Sequence, residues 1–445
     1  MTILEAGAAL RARKTSALEL TEECLGRIAK RNPELNAFIT VTEERARARA
    51  KEMDRELAAG AHRGPLHGIP IAHKDLIFTK GVRTTSGSKL FENFVPDRDA
   101  AVVRKLDTAG AVMVGKTGLH ELAYGVTSDN PHFGPIRNPH DPERVPGGSS
   151  GGSGVAVATG MALMASGTDT GGSIRIPASY CGVVGLKPTY GLVDRSGVRP
   201  LGLSLDHVGP LTMTVRDAVA VFDVMAEWSR WRPAPQTIQH IRVGLPENFY
   251  LDRVDAEVSA SVHESARAVE RLGARIVPVR VPDIAALNTA ARVILLVEAP
   301  AVFERYLDRR DQFGTDVLAL LDQGRLIHGT DYVNAQRVRK MFLAEFRRLF
   351  ETVDCLFTPT TPITAPRIGE KQVQIGAEME DTRLATTRFV RGINALGYPA
   401  LSIPCGKTKT GLPIGLQIIG RPYEDDLVLM VGSELEGLHG TVSSL

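Results

Sequence analysis

The sequence predicts a layered α/β protein, and three observations carry that prediction. From Gly64 onward, short apolar runs such as GIPIAHK (68–74) and AVMVGK (111–116) alternate with helical stretches such as AAVVRKLDTAG (100–110), the texture of strands joined through helices. Hydrophobic residues make up 43% of the chain and charged residues 23%, the balance of an ordinary globular protein. No repeat of 20–50 residues and no long polar tract is present, which argues against a solenoid or a disordered chain.

Residues 2–60 carry Ala, Leu and Ile at helical spacing among many Arg, Glu and Lys. They read as two or three amphipathic helices, broken at Asn32-Pro33, packed on the outside of the molecule. The sheet is expected to start after Gly64. Residues 147–210 are rich in glycine and serine but interleaved with VAVATGMALMA and CGVVGL, so a site built from backbone is a better reading than a flexible linker. The segment WSRWRPAPQTIQH (228–240) is the most linker-like. Beyond it, helices are expected near 255–272, 284–308 and 331–351, followed by strands at DCLFTP, PALSIP and GLQIIG. Although 445 residues are enough for two or three units, composition marks no boundary, and one domain over 1–445 is expected.

Charge and cysteines narrow the function. Lys and Arg number 53 against 51 acidic residues, a formal charge of +2, which advertises neither nucleic acid nor an anionic membrane as a direct partner. The ligand is expected to be small and weakly charged. Cys24, Cys181, Cys355 and Cys405 form neither a CxxC pair nor a disulfide scaffold, so cytoplasm is the expected compartment. The N-terminus lacks the pattern of a signal peptide, and no 18-residue apolar run stands out as a membrane span.

Several short motifs mislead. Gly110-AVMV-Gly115-Lys116-Thr117 satisfies the phosphate-loop pattern, but its intervening residues read as an apolar strand and not as a loop able to curl around phosphates. Ser86-x-x-Lys89, Ser128-Asp129-Asn130 and Lys116-Thr117-Gly118 imitate penicillin-recognising enzymes in the wrong order. The GxSxG around Ser149 would need a later Asp and then a His. His207, His240, His263, His328 and His439 stand in no catalytic context. No His/Cys cluster with metal-ligand spacing occurs, and neither metal nor organic cofactor is expected.

What remains is GGSSGGSGVAVATGMALMASGTDTGGSIRIPA (147–178), preceded by GIPIAHK and Asp75. Two glycines, two serines and two glycines, followed by a second GGS with Arg175 and Pro177 behind it, strongly resemble the amidase signature family. The resemblance runs from LTEECLGRI near the N-terminus to GLPIGLQIIG near the C-terminus. It implies a mixed central β-sheet flanked by helices on both faces, with a signature core over 64–225 and a substrate-dependent part over 240–445.

The resemblance also implies a hydrolase for an amide-type C–N bond, with Ser173 as nucleophile and Ser149, after a cis peptide bond from Gly148, relaying its proton to Lys74. Chemistry supports that assignment. A serine hydroxyl needs a base at neutral pH, and a lysine serves only if burial lowers its pKa; Lys74 follows the apolar GIPIA. Thr170, Gly171, Gly172 and Ser173 offer unobstructed N–H groups for an oxyanion hole. In the family, positions matching Asp169 and Arg175 brace this loop and Ser150 hydrogen-bonds within the relay, although a structural ion pair accounts for Asp169 and Arg175 equally well. The segment containing Ala123, Tyr124 and Gly125 is implied to line the acyl side of the pocket.

Substrate identity is not legible. Carboxamides, anilides, carbamates and esters stay open, and no charge complement for a substrate carboxylate stands out between 300 and 400. A free-standing amidase is the first expectation. The glutaminase component of a glutamine-dependent tRNA amidotransferase, its A subunit, is the alternative, and a non-catalytic binding protein on the same scaffold is the remote one. Some family members dimerise through their N-terminal helices, so a homodimer is possible by analogy.

Overall fold

The computed structural model describes residues 1–227 and 237–439. Eleven strands form one mixed sheet: β1 (Phe38–Val41), β2 (Pro70–Lys74), β3 (Val112–Thr117), β4 (Met164–Asp169), β5 (Val184–Lys187), β6 (His207–Thr212), β7 (Arg242–Pro246), β8 (Arg275–Val279), β9 (Cys355–Pro359), β12 (Ala400–Lys407) and β13 (Pro413–Gly420). A separate hairpin pairs β10 (Gln372–Ile375) with β11 (Glu378–Asp381). The order across the sheet is β1-β3-β2-β4-β6-β5-β12-β13-β9-β7-β8. β2 runs parallel to β3 and β4, and β7 parallel to β8 and β9, while the centre from β4 through β13 to β9 is antiparallel.

The expected mixed α/β architecture is therefore present, and one sheet runs through both halves of the chain. β5, from the glycine-serine half, pairs with β12, from the C-terminal half. β2, β3, β4, β5, β6, β9 and β13 are buried along their whole length. That explains why they read as continuous apolar runs and not as alternating ones.

Two expectations about the N-terminal part need correction. The second helix, Ala17–Leu35, continues through Pro33 and ends at Asn36, whose φ of 54° is left-handed. A proline two residues from the end removes only one backbone bond, so the stop belongs to the αL residue. The sheet also starts earlier than Gly64, because Phe38–Val41 is an edge strand antiparallel to β3. The third helix, Glu43–Ala58, follows it.

The predicted helices appear as Ala256–Arg271, Ile284–Phe303 and Gly329–Thr352. Ile284–Tyr306 is long and apolar enough to cross a membrane by length and composition, contrary to the sequence reading, but half of that window is buried inside the protein. Ile284, Leu287, Ala291 and Ile294 join a core cluster with Phe342, Phe346 and Phe350 of the following long helix, the pattern of an internal helix. Most of the linker-like segment 228–240 lies outside the described residues.

Candidate active site

Lys74 is the last residue of β2 and Asp169 the last of β4, so the predicted residues gather at the carboxyl ends of parallel strands, where open α/β sheets place their sites. Ser149 and Ser150 lie just before the helix Gly151–Ala158, and Ser173 just before Arg175–Cys181. The Ser150 N–H donates to the Ser173 carbonyl at 3.2 Å, tying the two loops together. The Gly148–Ser149 peptide is cis. A Cβ on Gly148 would stand 2.8–2.9 Å from the backbone of Val126, Thr127 and Ser128, so only glycine fits there.

Lys74 is completely buried. Its Nζ donates to Ser149 Oγ at 2.8 Å, Ser150 Oγ at 2.9 Å and Thr168 Oγ1 at 2.8 Å. Loss of solvent pulls its pKa down to about 7, against the opposing attraction of Asp169 and Asp206. Near neutral pH a large fraction of Lys74 is thus unprotonated, as a general base requires. Ser150 Oγ in turn donates to the Thr168 carbonyl at 3.2 Å. Thr168 was not among the predicted residues. Its only signal was its place inside the block SGTDTGGS.

Ser173 is 6% exposed, whereas Ser149 is wholly buried. No hydrogen bond joins Ser173 Oγ to Ser149, so the structure closes the Lys74–Ser149 link and leaves the Ser173 hydroxyl unengaged. Catalytic hydrogen bonds of unliganded enzymes commonly tighten only with substrate. The N–H groups of Thr170, Gly171 and Ser173 have no partner among the described residues. That of Gly172 is different: it donates to Asp169 Oδ1 at 2.8 Å, which removes it from the predicted oxyanion donors. Gly172 instead serves the turn, with φ at +117° and Val390 2.3 Å from where a Cβ would stand.

Asp169 and Arg175 do more than pair. Both are fully buried and form a two-point ion pair, Nε to Oδ2 at 3.1 Å and Nη2 to Oδ1 at 3.0 Å. Burial works to raise the Asp169 pKa, but Arg175 holds the carboxyl well below the usual range. Its oxygens also accept from the N–H groups of Gly172 and Ile174, so the carboxylate shapes the nucleophile loop. Arg175 is completed by Gln417 Oε1 and Asn394 Oδ1, both at 2.6 Å, and by the Val390 carbonyl at 3.1 Å. Gln417 explains why GLPIGLQIIG accompanies the glycine-serine block: its strand reaches across the sheet to hold the catalytic loop. Neither Gln417 nor Asn394 could be assigned from sequence, being more than 200 residues from the ion pair they complete.

The segment 122–125 lies beside this centre. Leu122 and Ala123 have φ of 51° and 61°, a conformation uncommon for such residues and frequent at functional sites. At Gly125 the His120 ring takes the space a side chain would need. Ala123 lines a cavity of about 320 Å³ with Thr168, Thr170, Asp206 and His207. Tyr124, 2% exposed, borders a second cavity.

His207, read as a structural histidine, contributes no relay link: its Nδ1 hydrogen-bonds the Leu205 carbonyl at 2.7 Å. The false motifs resolve similarly. Gly115, Lys116 and Thr117 lie inside β3, and buried Lys116 donates to Thr84 Oγ1 at 2.9 Å with Asp75 at 3.9 Å, so no phosphate loop exists there. Ser128 Oγ donates to the Gly147 carbonyl at 2.8 Å and holds the loop before Ser149.

A buried lysine bonded to two serines, beside a loop that bears a third serine and carries unengaged N–H groups, defines an α/β enzyme site suited to carbonyl chemistry. A family model described as amidase matches residues 19–429. The A subunit of the glutamyl-tRNA(Gln) amidotransferase of Myxococcus xanthus (strain DK1622) is 38% identical over an alignment of 479 residues, covering 99% of this chain and 97% of that one. A solved structure described as an amidase is 38% identical with a TM-score of 0.93, covering 98% of this chain and 100% of the other. The solved A subunit of the same amidotransferase from Thermotoga maritima is 34% identical with a TM-score of 0.79, covering 98% and 94%. The chain belongs to the amidase family, and at that level it is an enzyme of amide C–N bonds. The curated relatives favour the amidotransferase alternative over the free-standing amidase expected first.

Proposed function

We propose that this enzyme hydrolyses a small amide through an acyl-enzyme on Ser173, with Ser149 and Lys74 moving the proton. The observation that carries the reading is the wholly buried Lys74 held 2.8 Å from Ser149 Oγ, beside the loop that bears Ser173. Neutral Lys74 draws a proton from Ser149 as Ser149 takes one from Ser173, and Ser173 Oγ bonds to the carbonyl carbon. The oxyanion is received by the N–H groups of Thr170, Gly171 and Ser173. Removing one such donor costs roughly 2.7–4 kcal/mol in comparable sites. The relay then returns the proton to the leaving nitrogen, without which an amine cannot depart. Water, deprotonated through the same relay, releases the acid.

Two substrate readings follow. The name of the curated relatives supports glutamine as the amide, with ammonia passed on in a complex with other proteins, and this reading has the broader support in sequence. The closer structural match to the amidase, a TM-score of 0.93 against 0.79 for the Thermotoga amidotransferase component, supports an amide other than glutamine. Its location is proposed as cytoplasmic; all four cysteines are free and buried. The test is hydrolysis of glutamine, short and long nitroanilides, a nitrophenyl ester and an aryl carbamate by wild type and Ser173→Ala. Serine-dependent activity on an anilide or carbamate supports the independent enzyme. Activity on glutamine alone supports the amidotransferase component.

A further inference from the structure

Beside the oxyanion loop lies a cavity of about 240 Å³ with an unusual charge. Its lining includes Arg292, Arg383, Arg391, Tyr124, Asp381 and Leu320. None of the three guanidinium groups has a hydrogen-bond or ion-pair partner among the described residues. All three are half-buried at the cavity wall, and a cation drawn partly out of water is normally paired. Arg383 touches only the face of Tyr124, its guanidinium carbon 5.2 Å from the ring centroid. Burial, then repulsion by Arg383 and Arg292, pushes the Arg391 pKa down to about 9. The single acid on the wall, Asp381, accepts the Leu384 N–H at 2.9 Å and caps a helix. Asp316, the other acid that Arg383 feels, is hydrogen-bonded to His120 at 2.9 Å.

The cavity is connected to the chemistry. The Cγ of Arg391 stands 4.0 Å from where a Cβ on Gly171 would be, and Gly171 is one of the three N–H groups facing the oxyanion. Tyr124 continues from Ala123, which lines the cavity beside Thr168 and Thr170. A group bound to the arginines therefore sits within a short acyl chain of the scissile carbonyl. Three cations against one acid leave the cavity with a formal charge of +2. A lone carboxylate supplies the missing charge and can engage guanidinium in bidentate fashion, whereas a zwitterionic α-amino acid would add an ammonium to a field in which Asp381 is the one acid on the wall.

We propose that Arg292, Arg383 and Arg391 bind a free carboxylate on the acyl part of the substrate, so that the enzyme acts on the monoamide of a short dicarboxylic acid lacking a neighbouring ammonium. This rests on the amide-hydrolase reading and narrows its substrate; the cavity's charge weighs against glutamine as the preferred amide.

The test uses the purified full chain with glutaramate, its neutral counterpart pentanamide, and glutamine. The expected kcat/KM for glutaramate exceeds that for pentanamide at least 100-fold and that for glutamine at least 10-fold. Arg391→Gln and Arg383→Gln should each bring the glutaramate-to-pentanamide ratio below 10. By calorimetry the product glutarate should bind wild type and bind both variants at least 30-fold more weakly. If either variant fails to fold, Arg292→Gln carries the same measurement. Equal turnover of pentanamide, preference for glutamine, or ratios unchanged in the variants would overturn the proposal. Hydrolysis of a nitrophenyl ester by wild type and Ser173→Ala reads Ser173 separately. Undiminished ester turnover in Ser173→Ala, together with arginine-dependent glutarate binding, would remove the serine mechanism while supporting the carboxylate site.

Discussion

Two groups of cations meet at this site, one wholly buried and one half-buried, and they are built in opposite ways. Around Lys74 and Arg175 every donor nitrogen is answered: Lys74 by three hydroxyls, Arg175 by Asp169, Gln417, Asn394 and the Val390 carbonyl. Around Arg292, Arg383 and Arg391 no hydrogen-bonding group among the described residues answers. The first group is preorganised, its positions set before substrate arrives, which is what electrostatic catalysis needs. The second has half-buried charges on a cavity wall that gain a partner only with a ligand. A cation's function is thus read from its burial together with what its hydrogen bonds leave over.

The comparison is tested most severely at the closed network. Ser173→Ala and Lys74→Ala should each lower kcat by roughly 10⁴-fold or more with the melting transition retained. Near-normal turnover in either would remove that residue from the mechanism. Asp169→Asn leaves Arg175 with an uncompensated buried charge and loosens the loop. We expect a loss of about 3–5 kcal/mol in stability by denaturant titration together with reduced kcat. If Asp169→Asn instead left activity and stability intact, the brace would be ornamental and the contrast with the arginine cavity would lose its basis.

Smaller effects sharpen the picture. Because the pKa of Lys74 lies near 7, the lysine is protonated and inert as a base below that pH, and kcat/KM should rise through about pH 7 and then level. A profile flat across the acid and neutral range would contradict a lysine base. Thr168→Val removes an acceptor that favours the charged lysine, so the rising limb should move to lower pH. The expected loss of rate is modest, about tenfold, in line with one hydrogen bond to a charged group. A shift to higher pH would mean that Thr168 acts by another route.

Much of the closed network was legible because its members cluster in sequence. Ser149, Ser150, Asp169, Ser173 and Arg175 fall within 27 residues of a glycine-serine block, and Lys74 follows a recognisable apolar strand. Gly172 was misassigned because composition cannot say which N–H a nearby carboxylate will take. Thr168 was missed because a threonine inside a buried strand carries no signal of its own. The early edge strand Phe38–Val41 escaped notice because four residues do not establish a period. The arginine cavity was invisible for a stronger reason: Arg292 lies on one long helix, while Arg383 and Arg391 belong to short helices nearly a hundred residues later.

By itself, then, the sequence determined the α/β class and the family, since local patterning and a dense motif suffice for these. Tertiary structure alone decided how deeply Lys74 is buried and hence how its proton is held. It also decided which oxyanion N–H groups stay free, and that Gln417 and Asn394 brace the loop while three distant arginines converge beside it. Those outcomes depend on contacts between residues far apart in the chain, and solvation and pairing of charge in such contacts are properties of the folded interior, not of any segment.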